Sequence, residues 1–149
     1  MKILFICTGN ICRSPMAEII FTNLCQKNGR DDIVIKGAGT GAQDFECMTP
    51  EAHEALKICG EKCSSKPRPS TRWRSDMLKQ FDHIICMTNR HAMIIDPDRR
   101  RKNVYTLDSV AGCGDIFDPW CYPLEIYIEV CKLLQNALVV LYNKITGGS

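Results

Sequence analysis

A thiol, five intervening residues, then an arginine and a serine make up Cys7-Thr-Gly-Asn-Ile-Cys-Arg-Ser14. These residue types at this spacing suit the capture and attack of a tetrahedral oxyanion. Successive backbone N–H groups in a tight loop converge into a nest for such an anion. A helix beginning at the loop's end adds free N–H donors and the positive end of its dipole. Arg13 supplies a planar fork that grips two phosphate oxygens at once. The same field favours a thiolate over a thiol, which makes Cys7 the candidate nucleophile. A buried core thiol at a strand end is the competing reading of Cys7. That reading leaves Arg13 unexplained, because the start of a helix disfavours cations. The loop residues Thr8, Gly9, Asn10, Ile11, Cys12 and Ser14 are then the substrate contacts. Asn10 suits the left-handed turn that aims the loop amides inward, and Ser14 is placed to donate a hydrogen bond to the sulfur.

Thiol attack on a phosphate ester needs a proton donor for the departing oxygen. The candidate is Asp118 in Ile116-Phe-Asp-Pro-Trp120, with Asp115 three residues upstream as the fallback. Pro119 restrains Asp118 towards extended geometry. An N-cap Asp with proline at the first helical position accounts for the same residues; the Cys loop favours the catalytic reading. Cys7 would form a cysteinyl-phosphate, and Asp118 would then activate the water that hydrolyses it. Arginine and amides provide the positive charge, so no metal and no cofactor are expected.

Together, Cys-x5-Arg-Ser after a first strand and the late Asp-Pro-aromatic resemble the low-molecular-weight protein tyrosine phosphatases. Further matches are Gly37-Ala-Gly-Thr40, Phe81-Asp82, Met87 and Asn89 or Arg90. The resemblance implies hydrolysis of phosphotyrosine in proteins, acid phosphatase activity on aryl phosphates, and inorganic phosphate as product. It also implies a reversible Cys7–Cys12 disulfide that spares the nucleophile from overoxidation; close packing at the helix start is the other reading of Cys12. The chain departs from the family pattern at several points. Gly37 stands where a loop-buttressing Ser is common, and Thr88 where an Asp usually follows Met87. Cys121 and a displaced Tyr122 replace a second aromatic beside Trp120. Gln43 lies near a position normally aromatic, with Phe45 as a possible substitute. Trp120 still offers a face for a phenyl ring. Alternatives of other classes are a thioredoxin-coupled arsenate reductase, for which only Cys86 lies where a redox pair is needed, and a non-catalytic phosphate or phosphoprotein binder.

The elements that must position these residues follow from pattern. Lys2–Ile6 is a short apolar strand, and Pro15–Leu24 has helical spacing. Ile33–Ile35 is a strand ending at the glycine-rich Gly37–Gly41. Thr49 caps a helix running to Ile58, with Pro50 at its first position. Ser64–Ser70 is an exposed, basic, proline-rich connection. Arg72–Leu78 is expected to be a short helix capped near Ser70 or Thr71, Phe81–Met87 a strand, and Thr88 the cap of another helix. Val104–Leu107 supplies a fourth strand. Leu124, Tyr127, Ile128, Cys131, Leu134, Ala137, Leu138 and Leu141 mark one face of a last helix to Asn143; Gly147-Gly148 follow it. Strands alternating with helices predict a single α/β domain over residues 1–149. Its form is a three-layer α/β/α with a four-stranded parallel sheet and the phosphate-binding loop after strand 1.

Composition sets outer bounds. The 149 residues suit one domain, and 45% hydrophobic with 24% charged residues is ordinary for a globular chain. A formal net charge of +2 gives no case for nucleic acid, and the basic run Asp98–Lys102 reads as a solvated loop. No signal peptide is visible, and no stretch approaches the roughly 18 apolar residues of a membrane span. Ten cysteines without a secretion signal predict a reducing, cytoplasmic location. Cys59-x3-Cys63 lacks the second ligand pair of a zinc site. The sequence does not determine oligomeric state, for which a monomer is the default, or whether Tyr122 or Tyr127 is itself phosphorylated.

Overall fold

A computed structural model describes residues 1–147; Gly148 of the terminal glycine pair lies outside the described residues. Strand β1 (Lys2–Cys7) runs at the centre of a four-stranded parallel sheet in the order β2-β1-β3-β4, with β2 at Val34–Gly39, β3 at His83–Cys86 and β4 at Val104–Thr106. Alternation along β1 divides the interior into two layers. Ile3, Phe5 and Cys7 join the larger core cluster, while Leu4 and Ile6 join the smaller one on the opposite face. Both faces are therefore apolar, as a covered parallel strand requires.

Helix α1 (Arg13–Lys27), α2 (Pro50–Ile58), α5 (Leu107–Ala111) and α6 (Leu124–Thr146) supply the larger cluster. Helices α3 (Met77–Gln80) and α4 (Asn89–Ile95) cover the other face through Met77, Ala92 and Ile95. The expected face of α6 is buried at Tyr127, Cys131, Leu134, Ala137, Leu138 and Leu141, with Val130 added. Thr49 and Thr88 cap α2 and α4, their hydroxyls accepting from Ala52 N and His91 N at 3.3 Å each. None of the helices among the described residues is long and apolar enough to cross a membrane.

Three local expectations are corrected. Residues 72–78 are not a helix: Trp73 N donates to the Gly39 carbonyl, Gly39 N donates to that of Thr71, and only Met77–Gln80 is helical. Backbone groups engaged by a neighbouring strand are not free for helical bonds, so neither Ser70 nor Thr71 acts as a cap. Strand β2 does not end at Ile35 but continues through Gly37–Gly39, so these glycines lie in the sheet, beside the Cys loop. The fourth strand stops at Thr106, whose hydroxyl accepts from Ser109 N at 3.1 Å and starts α5. The proline-rich connection is pinned as well as exposed, since Met48 N donates to the Arg68 carbonyl and Ser70 N to that of Glu46.

Candidate active site

Cys7 closes β1 and Arg13 opens α1, so the loop between them spans the carboxyl edge of the sheet. Cys12, at the N-cap position of α1, makes no side-chain capping bond, and the first turn of α1 contains no acidic residue. The donors at this helix start are thus left for an anion. Asn10 adopts φ 54°, the left-handed turn expected of it, and its N–H points at Cys7 Sγ from 3.2 Å. Its side chain braces the loop on both sides: Nδ2 donates to Ser14 Oγ at 2.6 Å, and Oδ1 accepts from Thr71 N at 2.9 Å. Ser14 Oγ in turn lies 2.9 Å from Cys7 Sγ. Cys7, Asn10, Arg13 and Ser14 are all buried.

Two glycines of β2 let the loop sit this close. A Cβ on Gly39 would clash with the Thr8 carbonyl oxygen and lie 2.9 Å from Asn10 N. A Cβ on Gly37 would come within 2.8 Å of Asn10 Nδ2 and 3.0 Å of Glu18 Oε2. The buttressing hydroxyl missing at Gly37 is therefore replaced by space filled with Asn10 and Glu18. Burial pushes the Glu18 carboxyl up, and its ion pair with Arg68 opposes that shift.

Arg13 reaches across the chain: Nη1 donates to the Ile116 carbonyl at 3.0 Å, while Nη2 lies 3.4 Å from Thr8 Oγ1 and 3.5 Å from Asp118 Oδ2. Asp118 is half exposed and is not the cap of α6, whose N-cap position is Pro123. Its Oδ1 instead accepts from Trp120 N at 3.1 Å, an Asx turn that holds the carboxyl over the loop. Asp115, the fallback, is used elsewhere, accepting from Asn89 N at 2.9 Å at the start of α4.

A cavity of about 150 Å³ brings together Cys7, Thr8, Gly9, Ile11, Cys12, Arg13, Asp118 and Trp120. Asn10 and Ser14 stand behind this wall and support it. Phe45 is not a wall residue: it is fully exposed at φ 70°, and neither it nor Gln43 lines the cavity. Trp120, 57% exposed, is the aromatic residue of the cavity wall.

The contacts that Tyr127, Thr49 and His91 make with the loop escaped the sequence reading. Cys12 Sγ lies 3.4 Å from Tyr127 Oη and 3.6 Å from Thr49 Oγ1, and burial pushes its thiol up. Tyr127 is buried with its hydroxyl turned inward, whereas Tyr122 is exposed and stacks edge-on against Phe117. His91, also buried, contacts Thr8; its position three residues after a capping Thr was the available signal.

This geometry has counterparts. The family model described as low molecular weight phosphotyrosine protein phosphatase matches residues 2–147. The chain belongs to that family. This phosphatase is 34% identical over 142 residues to the protein-arginine-phosphatase of Bacillus subtilis (strain 168), covering 93% of this chain and 92% of that protein. It is 34% identical over 152 residues to the low molecular weight phosphotyrosine protein phosphatase of Schizosaccharomyces pombe, covering 93% and 95% respectively. Among solved structures, the low molecular weight protein tyrosine phosphatase from T. tengcongensis superposes with a TM-score of 0.85 at 33% identity, covering 97% of this chain and 99% of that one.

Proposed function

We propose that this phosphatase hydrolyses aryl phosphate monoesters, and phosphotyrosine in proteins in particular, through a cysteinyl-phosphate. Cys7 Sγ attacks phosphorus while Asp118 gives its proton to the departing phenolate; Asp118 then takes a proton from the water that cleaves the S–P bond. Arg13 and the loop amides hold the equatorial oxygens throughout, and Ser14 stabilises the sulfur as it leaves. The observation that carries this reading is the convergence of Asp118, distant in sequence, with Cys7 and Arg13 of the loop on one cavity. The aryl preference is supported by Ile11 and Trp120, which give the cavity apolar flanks suited to a phenyl ring. The reaction needs no redox partner, and Cys86 is fully buried with its thiol pushed up to about 12, which argues against a thioredoxin-coupled shuttle through it.

A second substrate has a specific observation in its favour. The half-exposed carboxylate of Asp118 could pair with a guanidinium, and two relatives at 34% identity are named protein-arginine-phosphatases. Kinetics on matched phosphotyrosine and phosphoarginine peptides separate the two. The aryl reading expects the larger kcat/KM for phosphotyrosine, Cys7→Ser inactive, and Asp118→Asn slowed roughly 10²- to 10⁴-fold, most severely with poor leaving groups. A clear preference for phosphoarginine would replace it, and turnover by Cys7→Ser would remove the covalent mechanism.

A further inference from the structure

His91 is buried between two threonines of different elements. Its Nδ1 lies 2.9 Å from Thr88 Oγ1, and its Nε2 lies 2.9 Å from Thr8 Oγ1. One direction of these bonds leaves Thr88 fully paired within the protein. Thr88 Oγ1 accepts the backbone N–H of His91 as the α4 cap, and among the described residues its own proton has no acceptor other than Nδ1. In that arrangement Nδ1 is the unprotonated nitrogen, and Nε2–H donates to Thr8. Thr8 Oγ1 also receives Arg13 Nη2–H. Both of its lone pairs are taken, so its hydroxyl proton must point elsewhere, and Thr8 is an exposed residue lining the cavity over Cys7.

We propose that the Thr8 hydroxyl is a hydrogen-bond donor to a phosphoryl oxygen of the bound substrate, and that His91 is the residue that positions it. This rests on the reading that the loop cradles the phosphoryl group. A neutral imidazole with a bare Nδ1 is what lets the Thr88 hydroxyl donate to the ring while accepting the backbone N–H of His91. Burial and the Arg13 charge, with a further contribution from Arg90, hold the ring neutral against the opposing Asp115 and Asp118.

The test combines binding with a direct view of the tautomer, using the full chain. Inorganic phosphate and vanadate affinities are measured for the native protein, Thr8→Val and Thr8→Ser, alongside kcat/KM on an aryl phosphate. Thr8→Val is expected to lose about 10- to 100-fold in anion affinity, as for a hydrogen bond to a charged group, and Thr8→Ser to recover most of it. Nitrogen-15 spectra of His91 should show a protonated Nε2 and a bare Nδ1 at neutral pH. Unchanged anion affinity in Thr8→Val, or a proton found on Nδ1, overturns the proposal. If the native protein bound phosphate in this way but failed to turn over aryl phosphates, the substrate reading would fall and the Thr8 donor would stand.

Discussion

Cys7 Sγ and Ser14 Oγ lie 2.9 Å apart, although seven positions and a change from strand to helix separate them. Asn10 makes this contact possible by binding Ser14 from one side and the backbone of Thr71 from the other. Sulfur, hydroxyl and amide form one buried chain whose outer anchor is a segment sixty residues away.

That chain makes Asn10 structural as well as conformational. Asn10→Ala should leave Thr71 N and Ser14 Oγ short of partners and lose stability by about 1–3 kcal/mol. Urea unfolding gives the value, and a variant as stable as the native protein would refute the bracing role. Gly39→Ala attacks the same loop sterically and should cost about 1–3 kcal/mol by overpacking, with a larger loss of turnover than of fold.

Trp120→Ala should raise KM for an aryl phosphate by up to about tenfold, the worth of one aromatic contact. Inhibition by inorganic phosphate should not move, since that ion has no ring to stack. Equal weakening of both would show that Trp120 acts on the loop and not on the substrate.

Burial pushes the Cys12 thiol up, so at neutral pH it is a protonated neighbour of Cys7. The hypothesis is that peroxide converts Cys7 to a sulfenic acid, whose sulfur Cys12 attacks, forming the S–S bond as the S–O bond breaks and the hydroxyl leaves as water. Inactivation should then be reversed by dithiothreitol in the native protein and become permanent in Cys12→Ser. Disulfide closure should accelerate with rising pH, because the attacking thiolate grows tenfold per unit below its pKa. Full recovery of the Cys12→Ser variant would eliminate this role.

Burial beside Arg13 lowers the His91 pKa from 6.5 to about 4. The folded state therefore binds fewer protons than the unfolded chain between these values. Stability from this group is complete above about pH 6.5 and is lost as pH falls towards 4. Denaturant midpoints compared at pH 7 and pH 5 should show a drop in the native protein that is smaller in His91→Gln. Identical drops would assign the acid sensitivity to other groups.

The Cys loop was legible in the sequence because its parts are local. Strand, turn and helix start lie within about a dozen residues, and the left-handed turn at Asn10 is a property of that residue type. The caps at Thr49 and Thr88 and the buried stripe of α6 were equally local. The Arg72–Leu78 expectation failed because propensity says nothing of a neighbouring strand that claims the backbone, as Gly39 does for Thr71 and Trp73.

What sequence by itself determined was the order of elements, the parallel α/β architecture and the strand–turn–helix course of the Cys loop, all consequences of short-range pattern and backbone chemistry. Tertiary structure alone decided that Asp118 comes within 3.5 Å of Arg13 while Asp115 accepts from Asn89 N at the start of α4 instead. It also decided that Phe45 turns away from the cavity, that Tyr127 holds Cys12, and that His91 reaches Thr8. These are meetings between residues tens to more than a hundred positions apart. No spacing rule encodes them, because they follow from how helices and loops pack onto the two faces and the carboxyl edge of the sheet.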